Sequence, residues 1–369
     1  MRSFTITRRF VIFSLLLALT LCLCIVLSIE YFGRSSWERQ PSAALILANP
    51  KDAPGWPREI ARGLQEACDM TGYNLYIEEN VSITDGSLQK VTERLAKKGV
   101  RDIFLANPGY QQGLEAMARK YPQVSFHVNS VGEMPSQHML SYSVRYYEAR
   151  YLAGLLAGLH SRSGIIGYVG PFPATDTRRD LNAFALGAQK ARPGVRVLVA
   201  WTGEWMNPEK EHEALYRLKV ENADVVTYFL ASQNLAKEAQ ALEMDYIDFH
   251  HPDLLDWPSH CLAAMETDWA RVYADLLRLN LHGQSDLTYW RGMAEGVLSL
   301  RLAKKISPAE ETLVLRARSE LLKGQPVFSG QIEDGEGRLR CREGEVMANS
   351  SLLSDMNWLV KGVEVIDAR

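Results

Sequence analysis

From residue 43 to about 249, short apolar or β-branched runs alternate with amphipathic stretches, and this alternation constrains the fold more than any other feature. Strands are expected at Ala43–Ala48, Tyr73–Ile77, Asp102–Ala106, Val124–Val128, Gly164–Val169, Val195–Ala200 and Asp224–Tyr228. Helices are expected at Arg58–Thr71, Ser87–Lys98, Gln112–Tyr121, Tyr147–Ser161, Thr177–Ala191, Glu209–Glu221 and Leu235–Glu243. Strands separated by helices of this length give parallel sheets with helices on both faces, an α/β class. The pattern doubles: one set of units runs from 43 to about 144, a second from about 146 to 249, each the size of one doubly wound lobe. A chain of 369 residues also suits two cores better than one. Ligands of such sheets bind beyond the carboxyl ends of the strands, so two facing lobes predict a shared cleft that closes about a hinge. The tail, 308–369, departs from the pattern, with a helix at Ala309–Lys323 and a hairpin from Val327–Ile332 to Arg338–Cys341.

Ahead of the lobes, Phe10–Ile29 is an uncharged apolar run long enough to cross a hydrocarbon core as a helix. Arg2, Arg8 and Arg9 precede it, which orients the short N-terminus to the cytoplasm and the body outward. A cleaved signal peptide would have a shorter core and an A-x-A-like site. Cys22 and Cys24 suggest a lipoprotein, but Leu21 and Leu23 stand where a lipoprotein signal wants a small residue. The expectation is therefore an uncleaved anchor at 1–32, a polar tether at 33–42, and a single-pass membrane protein with an extracytoplasmic body.

The formal net charge is −3, and Arg2, Arg8 and Arg9 against Glu30 make the first 32 residues +2, leaving about −5 for the rest. A mildly acidic body without a basic stripe excludes nucleic acid as a partner. Cys68, Cys261 and Cys341 form neither a disulfide framework nor a zinc pattern. His250, His251, His260 and Cys261 fit no standard metal spacing, and Glu209 and Glu211 read as the solvated first turn of a helix. With no nucleophile–base pair, nucleotide-binding loop or H-E-x-x-H, the sequence offers no enzyme chemistry and calls for no cofactor.

Aromatic residues do stand out, each in an expected strand-to-helix connection: Trp56, Tyr110, Phe172 and Trp205. Taken singly, each suits a hydrophobic staple at a helix start. Four at the cleft end of an α/β pair suit a flat apolar ligand, with Asp52, Asn107, Arg145 and Asn207 near enough to supply directional hydrogen bonds.

Arg145–Gly158 (RYYEARYLAGLLAG) followed by Gly164–Pro173 (GIIGYVGPFP) resembles the basic membrane protein family of ABC-transporter solute-binding proteins, the PnrA-like and Med-like proteins. Asn182–Ala188, Trp205–Glu211 (WMNPEKE), Ala223–Val226, Gly292–Val297, Val327–Gly330 and Met356–Val363 continue it in order, over roughly 43–366. The resemblance implies a type I periplasmic-binding-protein fold, two lobes on a three-stranded hinge, and a purine clamped between one aromatic ring from each lobe. By position those rings are Trp56 and Trp205, with Arg145, Tyr147 and Asn182 beside the cleft. Asn207 stands where the family often has Asp, and Tyr228–Ser232 where it often has a polar segment, which favours a nucleobase or other flat heterocycle over a nucleoside. The expected partners are a purine-like small molecule and an ABC permease; the alternative is a membrane-anchored sensor of the same fold with a signalling partner. The lobes are expected at 43–145 plus about 262–307, and at 146–261 plus about 308–369.

Overall fold

The computed structural model describes residues 17–28, 40–111, 114–130, 138–249, 258–281 and 288–366. Elements are numbered in chain order. Residues 17–28 form helix α1, with the side chains of Leu17, Leu19 and Leu21 exposed. Among the described residues no helix is long and apolar enough to cross a membrane. The rest of the expected anchor, residues 1–16 and 29–32, lies outside the described residues, as do His250 and His251.

The first lobe is a six-stranded, all-parallel sheet in the order β11-β5-β4-β3-β1-β2. Its strands are β1 (Ser42–Ile46), β2 (Asn74–Glu78), β3 (Asp102–Leu105), β4 (Ser125–Asn129), β5 (Met139–Val144) and β11 (Tyr289–Arg291). Every residue of β3, Asp-Ile-Phe-Leu, is buried, because helices cover both faces; such strands read as apolar runs rather than alternations. Helices α2 (Trp56–Thr71), α3 (Ser87–Lys97), α4 (Leu114–Lys120) and α9 (Trp269–Leu281) accompany this sheet.

The second lobe orders its strands β12-β10-β9-β8-β6-β7-β15, with only β12 antiparallel. They are β6 (Ile165–Gly170), β7 (Arg196–Trp201), β8 (Val225–Tyr228), β9 (Asp245–Asp248), β10 (Cys261–Thr267), β12 (Leu298–Leu302) and β15 (Val363–Val365). The segments β2-β1-β3-β4-β5 and β7-β6-β8-β9-β10 share one winding order, so the doubling in the sequence is a doubling of topology. In each lobe the order reverses at the first strand, where this architecture opens its ligand crevice.

Helices α5 (Tyr146–His160) and α6 (Thr175–Ala191) of this lobe meet backbone to backbone. A Cβ on Gly154 would lie 1.8 Å from the Phe184 carbonyl oxygen, and one on Gly187 2.0 Å from that of Tyr151. Helices α7 (Pro208–Val220), α8 (Asn234–Ala241), α10 (Pro308–Leu322) and α11 (Asn349–Ser354) complete the lobe. The tail adds the expected hairpin, β13 (Ile332–Glu333) with β14 (Leu339–Cys341), and binds the lobe edge through β15.

The described chain crosses between the sheets at 144–146, 267–269 and 291–298. The stretch expected in the first lobe, about 262–307, is thus divided: α9 and β11 lie there, while β10 and β12 pair into the second sheet. Arg145 welds two crossings. Its guanidinium donates to Glu148 (2.7 Å), to the Trp290 carbonyl (3.0 Å) and to Glu295 (2.6 Å), and the Arg145 N–H donates to the Arg291 carbonyl (2.7 Å).

Candidate functional site

The connections leaving β1, β6 and β8 sit at the two switch points and face the interlobe cleft. Gly55, with φ of 93° and ψ of −140°, ends the loop after β1 and sets Trp56 as the first residue of α2. Only glycine adopts this backbone readily. Pro57 suits the first turn, where no intrahelical partner for its missing N–H is needed. The Trp56 N–H donates across the cleft to the Ala231 carbonyl at 3.1 Å, and the Ala231 N–H donates to the Trp205 carbonyl at 2.9 Å. One residue of the β8 loop therefore ties together the backbones of both tryptophans.

Each indole has a wall behind it. Trp56 packs edge-to-face on Trp269, centroids 5.0 Å apart. Trp205 packs edge-to-face on Phe229 (5.6 Å) and Phe172 (6.4 Å), and is 37% exposed, so ring surface remains for a partner. Phe229 continues to Phe249 (4.8 Å), and Phe249 to Tyr146 (5.2 Å) at the hinge end of α5.

Beneath these rings Arg150 is fully buried, its guanidinium 4.6 Å from the Phe249 ring centroid. It donates to Thr227 Oγ1 (3.0 Å) and to the Tyr228 carbonyl (2.7 Å), which fixes it at the carboxyl end of β8. Asp180 of α6 is also buried. Desolvation pushes its carboxyl up to about 7, against the pull of Arg179 and Arg150. The folded value lies above the unfolded 3.8, so stability is complete below pH 3.8 and is lost as pH rises through about 7. Asp180→Asn should accordingly stabilise the protein by ~1–4 kcal/mol at pH 8 and change little at pH 4, read by urea unfolding at both pH values. Equal effects at the two pH values would contradict this.

Several residues expected at the ligand serve the chain instead. Tyr110 is buried and its hydroxyl donates to the Val81 carbonyl (2.6 Å). Buried Asn182 donates to the Trp358 carbonyl (3.1 Å) and accepts from the Val360 N–H (2.9 Å), pinning the tail to α6. Both expectations of ligand contact are corrected, because these side chains are enclosed and spent on backbone. Arg145 is the hinge weld, and Tyr147 is buried against Trp290 (5.7 Å) and Phe328 (5.6 Å). Asn107 accepts from the Gly109 N–H (2.8 Å) in an Asx turn. Asn207 caps α7 by accepting from the Lys210 N–H (3.1 Å). Asp52 is exposed, its carbonyl accepting from Arg58 (2.7 Å). Trp56 opens α2 after β1, and Phe172 and Trp205 lie in the connections after β6 and β7.

Glu211, expected in a solvated turn, is buried; it accepts from Ser232 Oγ (2.9 Å) and the Asn207 N–H (3.1 Å), joining α7 to the β8 loop. Burial raises its carboxyl above the usual range. Arg150, Asp180 and Phe249 were not singled out from the sequence, and Phe229 only as part of Tyr228–Ser232. A lone arginine inside the apolar run Ala149–Gly158 was the one visible signal for the first of them. Among the described residues no His, Cys, Asp and Glu group could hold a metal ion.

A family model described as ABC transporter substrate-binding protein, PnrA-like, matches residues 41–324. A purine-binding protein of Brucella abortus is 26% identical over 335 residues, covering 90% of this chain and 95% of its own length. A putative ABC transporter glucose-binding protein of Haloferax volcanii is 27% identical over 84% of this chain and 76% of its own. Among solved structures, a transcriptional activator of the comK gene from Bacillus halodurans superposes with a TM-score of 0.68 at 19% identity, over 77% of this chain and 98% of that one. An Aeropyrum pernix solute-binding protein of an ABC transporter system superposes with a TM-score of 0.65 at 15% identity, over 80% and 93%. These two likenesses establish the two-lobed fold.

Proposed function

We propose, because the chain belongs to the PnrA-like family of ABC transporter substrate-binding proteins, that it captures a flat, purine-like heterocycle between Trp56 and Trp205 and delivers it to an ABC permease. The observation that carries this reading is the pair of tryptophans, one from each lobe, whose backbones are both bonded to Ala231. Closing the hinge brings the two rings to one ligand, and each ring is braced from behind so that little side-chain freedom is lost on binding. Stacking on an aromatic ring contributes about 1–3 kcal/mol per base. The relative in Brucella abortus carries a purine-binding name, which favours the same class. A sugar, as in the name of the Haloferax volcanii relative, needs many hydrogen-bond partners around its hydroxyls. The segment Phe229-Leu230-Ala231 at the second-lobe wall carries no polar side chain for such a partner. The apolar run Phe10–Ile29 would hold the body at the extracytoplasmic face of the membrane.

Full-length protein in detergent, titrated with adenine, guanine, hypoxanthine, adenosine and glucose, tests the assignment through tryptophan fluorescence and melting temperature. A purine is expected to quench fluorescence and raise Tm. Trp205→Ala should weaken its binding by about 10- to 100-fold with little change in fold stability. No response to any purine would end the assignment, and a response to glucose alone would replace it.

The second reading is a membrane-anchored sensor of the same fold. The uninterrupted apolar run after Arg8 and Arg9 favours it, since an anchor ties the body to one place. Permease and ATPase genes beside the coding sequence would favour transport, and a signalling gene there would favour sensing.

A further inference from the structure

Glu211 lies in the first turn of α7, where acidic side chains ordinarily sit in solvent, yet it is fully buried. Among the described residues no cation pairs with it, a costly arrangement for a carboxylate taken out of water. Its compensation is two donors that come from two different connections. The Asn207 N–H reaches Oε1 at 3.1 Å, and the Ser232 hydroxyl lies 2.9 Å from both Oε1 and Oε2. Helix capping accounts for the first donor only, and the Asn207 side chain already caps α7 through the Lys210 N–H. Ser232 belongs to the connection after β8 and is itself buried.

The two donors sit beside the residues that form the clamp. Asn207 follows Trp205 by two positions, and Ser232 directly follows Ala231. The Ala231 N–H donates to the Trp205 carbonyl (2.9 Å), and the Ala231 carbonyl accepts from the Trp56 N–H of the other lobe (3.1 Å). A single backbone bond between two connections is a pivot. A second tie beside it, through one carboxylate, fixes their relative orientation. We propose that Glu211 is a positioning residue of the clamp: it locks the Trp205 connection to the Ala231 connection, so that the Trp205 ring and the acceptor for the Trp56 N–H move as one body when the lobes close. The role rests on the two-tryptophan reading of the cleft and adds the part that keeps the ring in place; Glu211 itself touches no ligand. A ring held beforehand loses little freedom on binding, whereas one whose support is loose by about 1 Å binds poorly.

Two readouts on the full-length protein in detergent test this role: calorimetric titration with adenine, and hydrogen exchange of the segment 229–234 without ligand. Glu211→Ala should weaken adenine binding about tenfold or more and speed exchange of that segment about tenfold or more. Glu211→Gln keeps an acceptor oxygen on the same side chain and should restore both to within about threefold of wild type. Leu215→Ala, at a buried position one turn along α7, destabilises the same helix and should leave both within about threefold. Should Glu211→Ala not fold, Ser232→Ala cuts the same tie from its other end, and a loss of about fivefold or more in affinity is expected. Unchanged affinity and exchange in Glu211→Ala, or equal losses in Leu215→Ala, would reduce Glu211 to a helix cap. Failure of Glu211→Gln to rescue would also overturn the proposal, since charge rather than the tie would then matter. If wild type binds no adenine, that ligand assignment fails, and the exchange result alone decides on Glu211.

Discussion

Gly154→Ala should destabilise the second lobe by ~3 kcal/mol or more, although local propensity points the other way. Alanine in an exposed helix interior is about 1 kcal/mol better than glycine. Here the new Cβ would stand 1.8 Å from the Phe184 carbonyl oxygen and 2.7 Å from the carbonyl carbon. Those atoms are backbone in the middle of α6, so relief requires the whole helix to move rather than one side chain to turn. Moving it disturbs the two Asn182 hydrogen bonds that hold the tail. Urea unfolding with a second-lobe probe reads the effect, and Gly187→Ala, whose Cβ would lie 2.0 Å from the Tyr151 carbonyl oxygen, should behave alike. A stability equal to or above wild type would mean that α5 and α6 do not meet at their backbones.

The second large effect is expected at Gly55, and it concerns closure rather than the ligand. A Cβ there would lie 2.4 Å from the Ala231 carbonyl oxygen, the atom that accepts the Trp56 N–H across the cleft. Gly55→Ala should keep the lobes from meeting at this edge and remove the backbone bridge. Affinity for the cleft ligand should then fall about 10- to 100-fold with no ring deleted, as the binding-competent closed state becomes rarer. Small-angle scattering should report a more open molecule at saturating ligand. The substitution also places alanine at positive φ, which carries its own cost of ~1–3 kcal/mol. Gly72→Ala separates the two effects: its φ is 75°, yet nothing lies within 4 Å of its Cβ position. If the two variants bind alike, Gly55 matters for loop strain and not for closure.

The strand and helix positions of both lobes were legible because parallel strands covered on both faces are continuous apolar runs, separated by helical periods. Where that contrast fades, the reading misses elements. Met-Leu-Ser-Tyr-Ser-Val of β5 carries two serines, and β11 pairs through only three residues far along the chain. The pairing of β10 and β12 into the second lobe was not legible for a related reason. Two apolar segments can sit on either sheet, and only pairing partners decide which.

The sequence by itself determined the repeated β-α order, the family to which the chain belongs, and the placing of Trp56, Phe172 and Trp205 between strands and the helices that follow them. Local periodicity and residue type suffice for these. Tertiary structure alone decided what the polar residues do. Asn182, Arg145 and Tyr110 have the chemistry of ligand contacts, yet backbone carbonyls and carboxylates from distant segments claim them. Asp180 and Arg150 sit in helical runs that read as ordinary, yet both are buried, Arg150 against the rings of Phe229 and Phe249. Whether a polar group is satisfied depends on which segments fold against it, and that is a property of three dimensions.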